Sequence, residues 1–202
     1  MKAHSKPFIA VLALVTPASL FLAFERSRPG WAAHSRRVAE LSERVGVQLG
    51  LTDDRLATLR LGALLHDLGK LTVPTEVLEK PSALTLDERA IVQRHAASGA
   101  ELLRTAGVAH SVRRLVHGHH ERLDGSGYPL GLGGDDLNLE ARILAVCDVY
   151  EALASHRPYA PAWPHEKVLD YLRHEAGRVF DRKCVRALQE ATELLSRLSS
   201  AA

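Results

Sequence analysis

An imidazole and a carboxylate stand side by side at His66 and Asp67, where an apolar run ends. Apolar residues precede them at helical spacing, at Leu56, Leu59 and Ala63. His66 continues that stripe one turn further, so its side chain is expected to face the protein interior. A buried carboxylate is costly unless it is paired or binds metal, which makes Asp67 a candidate ligand. A polar helix end gives the same pattern, however, so this pair alone does not predict a metal site.

Two residues just beyond the pair predict how this helix ends. Gly69 needs no side chain in a left-handed turn, and it is therefore predicted to terminate the helix. Lys70 is then expected to project close to the Asp67 carboxylate.

Five further side chains of metal-binding type fall on inward or near-inward positions of predicted helices: His34, His95, His119, His120 and Asp148. A single buried histidine is more often hydrogen-bonded to a backbone carbonyl than bound to metal. With His66 and Asp67 there are seven candidates, and helical bundles build metal sites from inward side chains on facing helices. Imidazole with carboxylate suits iron, manganese or zinc. Seven ligands exceed the need of one tetrahedral ion, whereas two ions bridged by one carboxylate would use them all.

Helical periodicity extends over most of the chain, and no alternating strand pattern or internal repeat appears. Capping signals mark helix starts near Thr52, at the Thr85–Glu88 capping box and at Asp181. The predicted helices cover about residues 31–50, 52–67, 85–105, 109–120, 139–155, 164–175 and 182–198. Glycines between residues 124 and 134 predict a loop whose backbone can pass close to a ligand. The predicted fold is therefore all-α, with a glycine-rich loop between the candidate metal-binding helices.

Length and composition indicate one globular domain. The 202 residues are enough for one well-cored domain, which we assign to residues 31–202. A formal charge of +2 argues against a nucleic-acid binder that relies on a broad basic surface. The two cysteines, Cys147 and Cys184, lie in helical patterns without a disulfide framework or zinc motif, which fits a reducing compartment.

Residues 1–30 are assigned to a hydrophobic N-terminal segment and linker. Residues 8–24 carry almost no polar side chain, and Pro17 lies in their middle. Three interpretations stay open: a membrane anchor, a signal-peptide core, or a helical hairpin packed on the domain. No small-x-small cleavage site precedes the following charges, which weakens the signal-peptide interpretation. An anchor would hold the domain at the cytoplasmic face of a membrane.

Together these residues resemble the HD-GYP family, a branch of the HD-domain metal-dependent phosphohydrolases. The resemblance rests on residues 65–70, 119–122, 124–129 and 157–159, together with His34, His95 and Asp148. The doubled histidine followed by the Gly-Tyr-Pro loop is its most specific part. It covers roughly residues 31–195. The resemblance implies an HD-domain helical bundle with a two- or three-metal centre that hydrolyses cyclic di-GMP, a bacterial second messenger, to pGpG and sometimes on to GMP.

The resemblance also implies roles for individual residues. One iron or manganese ion would be held by His34, His66, Asp67 and Asp148. The other would be held by a bridging Asp67 together with His95, His119 and His120. The expected catalytic residues are Asp67 and Lys70. The expected substrate contacts are Lys70, Arg122, Gly127, Tyr128, Pro129 and Arg157.

This donor set suits phosphodiester hydrolysis. Two cations a few ångströms apart would acidify a bridging water to hydroxide and neutralise the phosphodiester oxygens. Lys70 would donate a hydrogen bond where negative charge builds in the transition state. No serine or cysteine is placed to serve as a nucleophile, so in-line attack without a covalent enzyme intermediate is expected.

Two positions depart from the family pattern. Members with a third metal ion have a glutamate one turn before the first histidine, where this chain has Gly30. We therefore predict a binuclear site. Some members have a basic residue just after the Arg-Pro-Tyr run, where this chain has Ala160, and one expected ligand contact is weakened.

Three functions remain open from the sequence. The first is a cyclic di-GMP phosphodiesterase, and the second is a phosphohydrolase of the same type that acts on another cyclic dinucleotide or nucleotide. The third is a non-catalytic module that binds cyclic di-GMP or docks on a signalling protein through the Gly-Tyr-Pro loop. The retained metal ligands and Lys70 argue against it, because a pure sensor needs no hydroxide. A homodimer is compatible with the resemblance, and no nucleic-acid polymer is expected as a partner.

Overall fold

A computed structural model of the protein describes residues 16–156 and 161–200. Within these residues the chain forms α-helices and two short 3₁₀-helices but no β-strand, so the predicted all-α class is confirmed. The helices are α1 (Pro17–Ser27), α2 (Pro29–Gln48), α3 (Asp53–Leu65), η1 (Leu68–Thr72), α4 (Thr75–Leu78), α5 (Leu86–Gln93), α6 (His95–Thr105), α7 (His110–Gly118), η2 (Gly134–Asp136), α8 (Leu139–Ala154), α9 (His165–Glu175) and α10 (Arg182–Ser200). The long loop between α7 and α8 is the glycine-rich segment that the sequence predicts.

The described part of the N-terminal apolar segment is a helix packed on the bundle. Thr16 and Ser19 form a capping box at the start of α1. Pro17 occupies the first turn, where its missing N–H costs no helical hydrogen bond. Phe21 and Phe24 are buried against η1 and neighbouring helices. Residues 8–15 lie outside the described residues, and none of the helices described is both long enough and apolar enough to span a bilayer.

Two groups of buried apolar side chains hold the bundle together. The larger joins α2, α3, α8, α9 and α10, and it includes Val38, Leu59, Leu144, Leu172 and Leu188. The smaller joins α1, α2, α3, η1, α6 and α7, and it includes Phe24, Leu65, Leu68, Leu103 and Val116. The apolar stripes predicted for these helices therefore face the interior. Both cysteines are free, and both are buried in the larger group.

The single helix predicted over residues 85–105 is wrong, because the chain turns at Arg94 and forms two helices. The predicted capping box is confirmed at the start of α5, where Thr85 and Glu88 exchange hydrogen bonds. Neither glycine nor proline marks the turn, and helical periodicity continues on both sides of it. The turn places His95 at the first position of α6, buried beside η1.

Gly69 is required for close packing, and the predicted left-handed turn at this position is wrong. Its φ is not positive, and it lies within η1. A Cβ built on Gly69 would overlap the His95 carbonyl oxygen and lie 2.7 Å from the Gly99 nitrogen. Backbone therefore meets backbone where η1 crosses α6, and only glycine fits at this contact.

Candidate metal centre

Three histidines at helix ends each make the same kind of hydrogen bond to the backbone. The Nδ1 atoms of His66, His95 and His119 lie 2.7, 2.6 and 2.7 Å from the carbonyl oxygen of the residue three positions earlier. A carbonyl oxygen only accepts, so each Nδ1 carries the ring proton and each Nε2 keeps its lone pair. A second bond of this kind orients an imidazole that ligates metal through its other nitrogen.

The Nε2 atoms of these histidines face one another and two carboxylates. The Nε2 atoms of His95 and His119 lie 3.2 Å apart. His66 Nε2 is buried without a hydrogen-bond partner, 3.4 Å from Asp67 Oδ2 and 3.6 Å from Asp148 Oδ1. Lone pairs and carboxylate oxygens repel at these distances unless a cation lies among them. The residues present therefore fit divalent metal ions.

The donor atoms form groups that could each hold one ion, since within each group they lie within 4.8 Å of one another. The groups are His34, His66 and Asp148; His95, His119 and His120; and His66, Asp67 and His119. Asp67 Oδ2 lies 3.8 Å from His34 Nε2, while Asp67 Oδ1 lies 3.5 Å from His95 Nε2. The structure thus brings all seven candidates together. Asp67 lies between the group of His34, His66 and Asp148 and the group of His95, His119 and His120.

Four of the seven candidates, His119, His120, Asp67 and Asp148, have protonation states that suit metal ligands. Burial and the neighbouring His120 hold the pKa of His119 well below its usual value, and burial lowers that of His120 to about 3. Burial alone would raise the pKa of Asp67 and Asp148. For Asp67, Lys70 and the neighbouring histidines together outweigh that effect, and for Asp148 the hydrogen bond from His34 and the neighbouring histidines do so. Both pKa values are therefore held well below the usual range. Neutral imidazoles and ionised carboxylates are the forms that bind metal.

His34 is oriented by carboxylates on both sides. Its Nδ1 contacts the Glu151 carboxylate, and its Nε2 lies 3.0 Å from Asp148 Oδ1. Burial alone would lower the pKa of His34, but these two contacts raise it to about 9. Glu151 is itself held by Arg37 and by the Ser155 hydroxyl, which donates a hydrogen bond at 2.6 Å. The ring of His34 is therefore fixed with Nε2 toward the cluster.

Lys70 lies at the edge of the cluster, as its position after Gly69 predicts. Its Nζ donates a hydrogen bond to Asp67 Oδ2 at 2.7 Å, which confirms the expected contact. The same ammonium lies 3.4 Å from the centroid of the Trp31 ring, a cation–π distance. Lys70 is only 8% exposed, so a fixed positive charge is held directly beside the candidate metal ligands.

The glycine-rich loop brings Tyr128 to the other side of the cluster. The Tyr128 ring stacks on the His120 ring with centroids 4.6 Å apart. Burial and the nearby Asp148 raise the pKa of Tyr128, so its hydroxyl stays protonated. Arg122 donates to the Glu121 carbonyl oxygen at 2.9 Å, and its guanidinium carbon lies 5.5 Å from the centroid of the Phe180 ring. Arg157 and Ala160 lie outside the described residues.

Two buried carboxylates near the cluster were not predicted from the sequence. Glu151 contacts His34. The sequence feature that could have revealed it is its position three residues after Asp148, which places both carboxylates on one face of α8. Glu121 is 1% exposed and accepts hydrogen bonds from two backbone N–H groups of the glycine-rich loop. The sequence feature that could have revealed Glu121 is its position directly after the doubled histidine.

An all-α bundle that gathers histidines and aspartates in this way defines a candidate metal-dependent hydrolase domain. The sequence model described as "HD domain" matches residues 23–184 of this chain. The chain therefore belongs to the HD domain family.

Known relatives have names that point to cyclic dinucleotides. The chain is 42% identical over 180 residues to the cyclic di-GMP phosphodiesterase response regulator RpfG of Xanthomonas campestris, covering 86% of this chain and 46% of that protein. It is 39% identical over 167 residues to 3'3'-cGAMP-specific phosphodiesterase 3 of Vibrio cholerae, covering 83% of this chain and 36% of that protein. This chain thus spans less than half the length of both relatives.

A solved structure shows the same fold. The HDG"Y"P protein Bd1817 of Bdellovibrio bacteriovorus superposes with a TM-score of 0.67 at 22% sequence identity, covering 79% of this chain and 51% of that one.

Proposed function

We propose that this chain is a phosphodiesterase that hydrolyses cyclic di-GMP, either to pGpG or on to GMP, with two divalent iron or manganese ions. The observation that carries the proposal is the position of Asp67 between two groups of donor atoms. A carboxylate in this position could hold two neighbouring ions, the arrangement that two-metal hydrolysis uses. The name of the relative from Xanthomonas campestris supports the substrate class.

One ion would be held by His34, His66, Asp67 and Asp148. The other would be held by Asp67, His95, His119 and His120. When bound, two such ions acidify a water molecule and neutralise phosphodiester charge.

The chain's own residues would bind and orient the substrate around this centre. The Lys70 ammonium would donate to a phosphate oxygen, since it is already fixed 2.7 Å from Asp67. Tyr128 and the glycine-rich loop, including Gly127 and Pro129, would line the substrate groove, and Arg122 and Arg157 would contact the ligand.

A water molecule, not a side chain, would attack phosphorus. Cys147 and Cys184 are buried in the apolar core, and burial raises the pKa of both thiols. A thiol is a weak nucleophile while it is protonated. In-line attack without a covalent enzyme intermediate follows.

A second candidate substrate is 3'3'-cGAMP, which differs from cyclic di-GMP in one base. The relative from Vibrio cholerae carries that specificity in its name. The metal centre would act on either phosphodiester, so bases must be distinguished by groups away from the centre. A direct comparison of both dinucleotides at equal concentration decides between them.

The test is turnover by metal-loaded protein. Protein loaded with iron or manganese is incubated with cyclic di-GMP, 3'3'-cGAMP or cyclic di-AMP, and the products are resolved by chromatography. We expect pGpG from cyclic di-GMP and no product from Asp67→Ala, because both ions lose their shared ligand. Metal content by mass spectrometry should fall in that variant. Tight binding of cyclic di-GMP by the fully loaded protein without turnover would support the sensor function instead.

A further inference from the structure

A buried carboxylate directly follows the doubled histidine and holds the glycine-rich loop. Glu121 Oε1 accepts the Leu130 N–H at 2.7 Å, and Oε2 accepts the Leu132 N–H at 3.0 Å. The residue is 1% exposed. Both oxygens of this buried side chain thus accept hydrogen bonds from the backbone of one loop. The arrangement is costly to break because buried donors and acceptors would be left without partners.

The same loop meets the doubled histidine through its backbone. The Tyr128 N–H donates to the His120 carbonyl oxygen at 3.3 Å. A Cβ built on Gly127 would overlap Glu121 Cα and lie 2.6 Å from the Arg122 nitrogen, so the loop touches this segment too closely for any other residue. Residues 127–132 therefore wrap around Glu121, with contacts on both sides of it.

Between these contacts the loop carries one aromatic side chain to the cluster. The Tyr128 ring packs against the His120 ring, with the two centroids 4.6 Å apart. Contacts of the backbone at Gly127, Tyr128 and Leu130 fix where the loop holds Tyr128. Its position depends on where Glu121 holds the two amides that follow Pro129.

We infer that Glu121 is a positioning residue that sets Tyr128 against His120 and so shapes the substrate-facing wall of the centre. This inference rests on the proposed function, because the wall is assigned to cyclic dinucleotide binding. Glu121 itself does not touch the reacting atoms. Its carboxylate acts through the loop backbone.

The test is Glu121→Gln, which keeps the shape of the side chain. An amide can accept at only one of its two ends, so one loop N–H loses its acceptor and faces a donor. We expect both metal ions to be retained. The KM for cyclic di-GMP should rise on the order of 10-fold to 100-fold, since small misplacements of positioning groups cost that much. Hydrogen exchange at the Leu130 or Leu132 amide, measured by NMR, should accelerate at least about 10-fold.

Glu140→Gln is the matched control. Glu140 is also buried, and it accepts two hydrogen bonds from Arg55 at 2.7 and 2.9 Å. It precedes Asp148 by eight residues on α8, about 12 Å along the helix. Its loss should lower stability while leaving KM and loop exchange unchanged.

A double-mutant cycle with Tyr128→Ala separates positioning from general destabilisation. If Glu121 acts through Tyr128, Glu121→Gln should add little to the KM defect of Tyr128→Ala. Fully additive defects, unchanged exchange at both amides, or loss of metal from a folded Glu121→Gln protein would overturn the inference. The hydrogen-exchange measurement needs no substrate. If the wild-type protein were inactive on cyclic di-GMP, the proposed function would be refuted, but exchange at the Leu130 and Leu132 amides would still test whether Glu121 holds the loop.

Discussion

Gly69→Ala tests whether the backbone contact between η1 and α6 sets the spacing of the two metal groups. The added Cβ would overlap the His95 carbonyl oxygen and lie 2.7 Å from the Gly99 nitrogen, whereas ordinary contact begins near 3.4 Å. The two backbones must therefore separate by at least about 0.7 Å. Asp67 directly precedes η1 and His95 begins α6, so the gap between these ligands widens with the shift.

Metal coordination tolerates changes of only about 0.2 Å in ligand distance. The group of His95, His119 and His120 should therefore lose its ion, because Asp67 no longer reaches it. The group of His34, His66 and Asp148 does not span the altered contact and should keep its own. We expect metal content to fall from two ions to one, turnover of cyclic di-GMP to be lost, and overpacking to destabilise the fold by about 1–3 kcal/mol.

Metal content is measured by mass spectrometry, and stability by urea unfolding with circular dichroism as the check on folding. Gly30→Ala is the control. Gly30 lies in α2, and a Cβ built on it meets no atom within 4 Å. That variant should keep both ions and be neutral or more stable by up to about 1 kcal/mol. A Gly69→Ala protein with two ions and normal turnover would refute the reasoning.

Two further predictions follow from the charges of the cluster. Lys70→Met keeps an aliphatic side chain against Trp31 but removes the ammonium beside Asp67. We expect kcat to fall on the order of 100-fold while metal content is retained. An unchanged kcat would exclude the proposed contact with phosphate. In metal-free protein the pKa of His34 is raised to about 9, so its protonated form stabilises the fold fully below the unfolded value of about 6.5. Up to about 3 kcal/mol should be lost as the pH rises from 6.5 through 9, and urea unfolding of His34→Gln should lack this loss; an equal pH slope in both proteins would contradict the assignment.

Local periodicity was sufficient to predict much of this protein. The spacing of apolar residues placed His34 and His66 on buried helix faces, and both are buried. The capping box at Thr85 and the cap at Asp181 could be predicted from the sequence, because their hydrogen bonds join residues only two or three positions apart. Interactions of this range depend on the sequence alone, so the all-α class and the inward set of ligands could be predicted without coordinates.

Other features depend on which segments meet in three dimensions. The turn at Arg94 lacks a glycine or proline, and the reason for Gly69 is the approach of α6 from 26 residues further along the chain. Glu121 and Glu151 looked like ordinary charged residues until their partners were known. A buried carboxylate needs several donors around it, and only the packed structure decides which donors those are.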